Sequence, residues 1–109
     1  MPHVPDLHLD ALRALCARHH VRRLHLFGSA ASGTFQPDQS DLDFLVEFLP
    51  LSPVAHADAF FGLEADLAGL YPGQPVDLLE SSAVRNPFLR QSIDASRRIL
   101  YSSDDKDAA

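Results

Sequence analysis

Apolar residues recur three and four apart over residues 6–20, at Leu9, Leu12, Leu15 and Cys16 with His19 on the same stripe. That spacing predicts an amphipathic helix with Asp6 near its start. Over residues 22–27 the period drops to two, which predicts a strand with Leu24 and Leu26 on one face, stopped by Gly28. The small residues 29–33 suit a short helix, and residues 34–40, with Pro37, Asp38 and Ser40, suit a turn-rich loop. A second strand is expected over residues 41–49. It carries Leu42, Phe44, Val46 and Phe48 on one face and Asp41, Asp43, Leu45 and Glu47 on the other, until Pro50 and Pro53 end it.

Helical spacing returns over residues 54–71 through Phe60, Leu63, Leu67 and Leu70, and Tyr71-Pro72-Gly73 closes this second long helix. The short apolar run of residues 76–79 reads as a third strand carrying Asp77. Residues 86–101 read as a last helix on Phe88, Leu89, Ile93 and Leu100, with Asn86 as cap and Pro87 in the first turn. The pattern therefore predicts a small α/β (α+β) domain over residues 1–103, with three or so strands and helices packed on them. An acidic, disordered tail is expected over residues 104–109.

A chain of 109 residues with 46% hydrophobic and 22% charged residues has the composition of one globular domain, with no apolar run long enough to span a bilayer. Nine basic against fifteen acidic residues leave a formal charge of -6. This disfavours direct binding to a polyanionic backbone, yet it does not disfavour a triphosphate held through a divalent metal, because acidic ligands are what hold the metal. The single Cys16 excludes an internal disulfide and a multi-cysteine zinc site, and no basic-then-apolar leader opens the chain, so a cytoplasmic location is expected.

The chemically informative stretch is Gly28-Ser29, eleven intervening residues, then Asp41-Leu42-Asp43, with Asp77 on a later strand. Side chains two apart on a strand share a face about 6.6 to 6.8 Å apart, so Asp41 and Asp43 can converge on an ion. A neighbouring strand lies roughly 4.8 Å away, where Asp77 would add a third carboxylate. Three such carboxylates need positive charge among them, and hard oxygen ligands suit magnesium together with substrate phosphates. Gly28 and Ser29 stand where a strand hands over to a helix, a place where backbone N–H groups and the Ser29 hydroxyl would face a phosphate. Gly-Ser after a strand is by itself a common turn, and Asp-x-Asp by itself is often the polar face of an exposed strand. Together, two aspartates opening an otherwise apolar strand violate local strand preference in a way that a metal site explains.

These residues resemble the minimal nucleotidyltransferase (MNT) domains of the DNA polymerase beta-like superfamily. The resemblance runs through LHLFGSAASG, SDLDFLVEF, PVDLLE and the closing VRNPFLRQSIDASRRILY. It maps the glycine-serine motif onto Gly28 and Ser29, the paired metal-binding aspartates onto Asp41 and Asp43, and the third carboxylate onto Asp77. Ser32 departs from the arginine that the family often carries in this loop. The resemblance implies a mixed sheet, two magnesium ions, ATP or another nucleoside triphosphate as substrate, and in-line attack on the α-phosphate with pyrophosphate leaving. Asp41 and Asp43 would bridge the metals, and Asp77 would orient or deprotonate the attacking hydroxyl. Small stand-alone members are commonly paired with a HEPN-domain ribonuclease, and as antitoxins they place AMP on a tyrosine of that toxin. A toxin-antitoxin role with a HEPN partner is therefore the implied biology. The alternatives are a binding module that neutralises its partner by contact alone, favoured by Ser32, and a small-molecule nucleotidyltransferase, for which no residues remain to build an acceptor domain.

Other residues carry less. Arg13 and His19 have the spacing of a HEPN arginine-histidine pair, but in a chain with strands they read as helix-surface residues. The histidines show no metal-ligand spacing. Cys16 lies on an apolar stripe and reads as a buried, inert thiol. Arg85, Arg90, Arg97 and Arg98 would form a basic edge on the last helix facing the nucleotide or an acidic partner, while Arg97 and Arg98 read better as a solvated helix face.

Overall fold

The computed structural model describes residues 6–32 and 41–103, with only the backbone of Ser32. The loop expected over residues 34–40, the tail over residues 104–109 and the Ser32 side chain lie outside the described residues. Among the described residues, four α-helices and four strands alternate: α1 (Leu9–Arg18), β1 (Val21–Phe27), α2 (Ser29–Ser32), β2 (Leu42–Phe48), α3 (Pro53–Leu70), β3 (Val76–Glu80), α4 (Pro87–Ser96) and β4 (Arg98–Ser102). One turn of 3-10 helix, Ser81–Ala83, follows β3.

The strands form one mixed sheet in the order β3-β2-β1-β4. β1 runs antiparallel to both β2 and β4, while β2 and β3 are parallel and joined by the crossover helix α3. The α/β class with helices on a small mixed sheet is thus what folds, with four strands rather than three. The fourth is the main departure, because the expected last helix stops at Ser96 and its final turn is instead a strand. Leu100 keeps helical step with Ile93, which is why the pattern misleads. The segment Arg98–Ser102 extends because pairing with β1, through Leu24↔Tyr101 and Leu26↔Arg98, satisfies backbone groups along an otherwise open edge. Arg97 and Arg98 consequently leave the helix, and Arg90 turns inward to donate to the Ser81 carbonyl at 2.6 Å, so the four arginines do not form one edge.

Both sheet faces are covered, unequally. Leu24 and Leu26 of β1 join Leu42, Phe44, Val46 and Phe48 of β2 in the main core, against Leu12 and Cys16 of α1 and Ala59, Leu63 and Leu67 of α3. On the opposite face Phe27 and Leu45 meet Ile93 of α4 in a second, small cluster. Burial of Cys16 pushes its thiol up to about 12, the inert state expected of it.

Local signals set the helix ends. Ser52 accepts from the Ala55 N–H with Pro53 at the first position of α3, and Asn86 accepts from the N–H groups of Phe88 and Leu89 with Pro87 opening α4. Asp6 does not cap α1 itself; it accepts from the His8 N–H at 3.0 Å, one turn earlier. α1 and α3 are tied at 2.6 Å by the His19 imidazole donating to Asp66, and the ring lies so close to α3 that residue 62 must be glycine, since a Cβ there would sit 2.8 Å from Cε1. His19 is therefore an interhelical tie, whereas Arg13 stays exposed and donates to the Leu100 carbonyl.

Candidate active site

The end of β1 and the starts of β2 and β3 meet at one corner of the sheet. The register pairs Phe27 with Asp43 across β1 and β2, and Asp43 with Asp77 across β2 and β3. Side chains of register partners share a face, so Asp43 and Asp77 stand side by side on the face that α4 only partly covers. Asp41 lies one residue before β2 and is exposed. Its backbone neighbour Leu42 donates to the Pro75 carbonyl at 2.9 Å, which fastens the start of β2 to the chain entering β3.

The electrostatics follow from this crowding. Burial, reinforced by the carboxylates of Asp77 and then Asp41, pushes the Asp43 carboxyl up to about 6. A carboxyl whose ionised form is disfavoured first by burial and then by the carboxylates facing it is a group that a cation would stabilise. Among the described residues no three His, Cys, Asp or Glu side chains are drawn into a ready-made metal cage. The fit to a divalent cation rests instead on the donor set, which is all hard carboxylate oxygen, and on the burial of Asp43 beside Asp77 and Asp41, which raises its carboxyl.

Gly28 closes the corner. Its φ of +74° lies in the left-handed region, and a Cβ there would stand 2.6 Å from Oδ2 of Asp43, so only glycine lets the turn after β1 approach this carboxylate. Ser29 opens α2, whose Ala30 and Ala31 are buried in the main core, and small side chains are what let this single turn lie close to the sheet. With four residues α2 is too short to offer a helix dipole. The Gly28 N–H, moreover, donates to the Ser96 hydroxyl at 3.0 Å rather than standing free. What the fold provides at Gly28 is close approach, not a donor. Ser96 is a residue that sequence reasoning missed, for no local pattern links it to a turn 68 positions earlier.

On the far side of α4 the same sheet face holds a cleft of about 520 Å³ lined by Arg23, His25, Glu47, Arg97 and Ile99. Burial, then the Arg97 and Arg23 guanidiniums, lower the His25 pKa, which keeps the imidazole neutral. Arg23 pairs with Glu47 at 3.3 Å and Arg97 with Asp94 at 3.3 Å. Among the described residues no helix is long and apolar enough to cross a membrane.

Comparison with known proteins supplies what geometry alone does not. Residues 11–106 match the model of the family described as polymerase beta, nucleotidyltransferase. A curated relative from Methanocaldococcus jannaschii, named as a candidate protein adenylyltransferase, is 35% identical over 91 residues, covering 84% of this chain and 88% of its own. A solved structure described as a candidate minimal nucleotidyltransferase is 34% identical with a TM-score of 0.62, over 84% of this chain and 87% of that one. A chain from a solved complex of a tri-AMPylated Shewanella oneidensis HEPN toxin with its MNT antitoxin shares the fold, with a TM-score of 0.54 at 19% identity, over 94% of this chain and 76% of that one.

Proposed function

Because the chain belongs to the polymerase beta nucleotidyltransferase family, we propose that this nucleotidyltransferase moves AMP from ATP to a hydroxyl of a partner protein, with Asp41, Asp43, Asp77, Gly28 and Ser29 as its site. The observation that carries the reading is the Asp43 carboxylate, set beside Asp77 by strand register, raised by burial and then by both neighbouring aspartates, and approached by a left-handed Gly28 that leaves no room for a Cβ. Asp41, Asp43 and Asp77 would hold two magnesium ions, which when bound supply positive charge to the attacking and leaving oxygens. The chain's own groups do the rest. Gly28 admits the triphosphate close to the backbone, Ser29 offers a hydroxyl to its phosphates, and Asp77 receives or orients the proton of the attacking hydroxyl.

The acceptor we infer is a tyrosine of a HEPN ribonuclease toxin in the cytoplasm, with this chain as antitoxin. Support comes from the adenylyltransferase name of the M. jannaschii relative and from the AMPylated complex that shares the fold. The test is incubation with labelled ATP, magnesium and a HEPN-domain protein from the same genome, followed by mass measurement of both proteins. An adenylyl group on a toxin tyrosine, lost in Asp43→Asn, is the expected result. A stable, silencing complex with no mass change on the toxin would replace the enzyme reading with neutralisation by contact.

A further inference from the structure

We propose that Ser96, at the last turn of α4, is a positioning residue for the nucleotide site: its hydroxyl pins the Gly28 peptide, and with it the wall against which the triphosphate and the Asp43 carboxylate are set. The inference rests on the site proposed above. Ser96 Oγ accepts from the Gly28 N–H at 3.0 Å and turns its own hydrogen toward the Ser92 carbonyl, 3.4 Å away on the preceding helical turn. The bond therefore runs from the helix through the hydroxyl to the turn. Ser96 is followed at once by β4, whose Arg98 pairs with Leu26 only two residues before Gly28. The hydroxyl is thus delivered from a rigid junction, fixed by a helix on one side and a strand ladder on the other.

What it holds has little natural rigidity. Glycine is the residue with the widest choice of backbone conformation, and Gly28 is needed in the left-handed region, where its Cα faces Asp43. A rotation of the Phe27–Gly28 peptide would swing the turn away from the carboxylate or into it. Alanine at position 96 removes the acceptor and leaves the peptide N–H to water, so the turn must be reordered each time the nucleotide binds. Preorganisation of this kind is read in nucleotide affinity before the chemical step. A single hydrogen bond of ordinary net strength predicts about a two- to twelve-fold rise in the KM for MgATP, with kcat changed far less.

The experiment compares wild type, Ser96→Ala and Ser96→Thr for amide hydrogen exchange at Gly28, MgATP affinity by calorimetry, and KM and kcat of adenylyl transfer. The expected result is a Gly28 amide that exchanges slowly in wild type and fast in Ser96→Ala. It comes with a raised Kd and KM for MgATP in Ser96→Ala, and with recovery of all three in Ser96→Thr, which restores the hydroxyl. A Ser96→Ala chain that melts lower but keeps the wild-type affinity and KM would make Ser96 merely structural and overturn the proposal, as would equal Gly28 protection in both chains. A wild-type chain that neither binds MgATP nor transfers would refute the site reading itself, a result distinguishable because it is seen before any substitution is made.

Discussion

Replacing Asp43 with asparagine should make the metal-free protein more stable, and by an amount that depends on pH in a defined direction. In the folded chain this carboxyl is raised from the ordinary 3.8 to about 6 by burial and by Asp77 and Asp41. Between those two values the folded state binds more protons than the unfolded state. Stability therefore falls as pH rises from about 4 to about 6 and stays reduced above it. At about 1.4 kcal/mol per tenfold change in proton affinity, the ceiling is roughly 3 kcal/mol. Asp43 is only half-buried, so solvent screening brings the expected cost to on the order of 1 to 2 kcal/mol. Asparagine has the same shape and no charge, so Asp43→Asn removes this cost without crowding Gly28. In chelator near pH 8 its melting temperature should exceed that of wild type by at least roughly 4 °C for a domain of this size, and the gap should close near pH 4. Magnesium with ATP should reverse the order by stabilising wild type alone. The assay is thermal melting of both chains across pH, with and without the metal. An Asp43→Asn chain less stable than wild type near pH 8 in chelator would refute the argument, because the carboxylate would then be making attractive contacts in the folded state that outweigh burial and repulsion.

Gly28→Ala should cost about 2 kcal/mol or more, from positive φ and a Cβ 2.6 Å from the Asp43 carboxylate, and should abolish MgATP binding; denaturant melts and calorimetry measure the two effects. The Cys16 thiol, fully buried and pushed up to about 12, should react with a disulfide reagent only as fast as the protein opens, and labelling that outpaces unfolding would place the thiol at the surface. Gly62→Ala should destabilise by about 1 kcal/mol despite alanine's better helix propensity, because its Cβ would strike a His19 ring held by Asp66; in a His19→Ala background the same change should stabilise by about the same amount, as denaturant titration will read.

The parts of this fold that the sequence reveals are those governed by neighbours within a few positions. Period-two alternation places Leu24, Leu26, Leu42, Phe44, Val46 and Phe48 on one sheet face, and all six are buried together. Asn86-Pro87 and the Tyr71-Pro72-Gly73 stop act within a turn of themselves, and the helices begin and end there. The spacing of Asp41 and Asp43 at the start of one strand, and the presence of Asp77 on another, are legible as well. That Asp77 falls opposite Asp43 is a matter of register, fixed by the length of α3 and its turns.

What escaped the reading is non-local in each instance, although two signals in the sequence were usable. β4 is a strand because β1 has a free edge for it, and no glycine or proline after Ser96 announces the end of α4. Yet Phe27 and Leu45 are apolar among the Arg23, His25, Asp43 and Glu47 that share their face of β1 and β2, and two such residues on neighbouring strands imply a cover. A helix of about ten residues from Pro87 to Ser96 suffices to place Ile93 on them. Residues 97–102 are then left over, next to an open strand edge and rich in β-formers. Gly62 gave the second signal: an interior glycine costs a helix about 1 kcal/mol relative to alanine, so its place in the middle of α3 asks what packs against it. The answer is the His19 ring from α1. Both signals come from a residue that is wrong for its own element, and the aspartates of the site belong to the same class. Asp41 and Asp43 are poor openers for an apolar strand, just as Gly62 is a poor helix former. Local misfit therefore marks both the structural ties and the chemistry of this chain. What separates them is the neighbour: Gly62 makes room for a paired, hydrogen-bonded imidazole, whereas Gly28 makes room for a carboxylate raised by burial and by the aspartates beside it, which favours a cation.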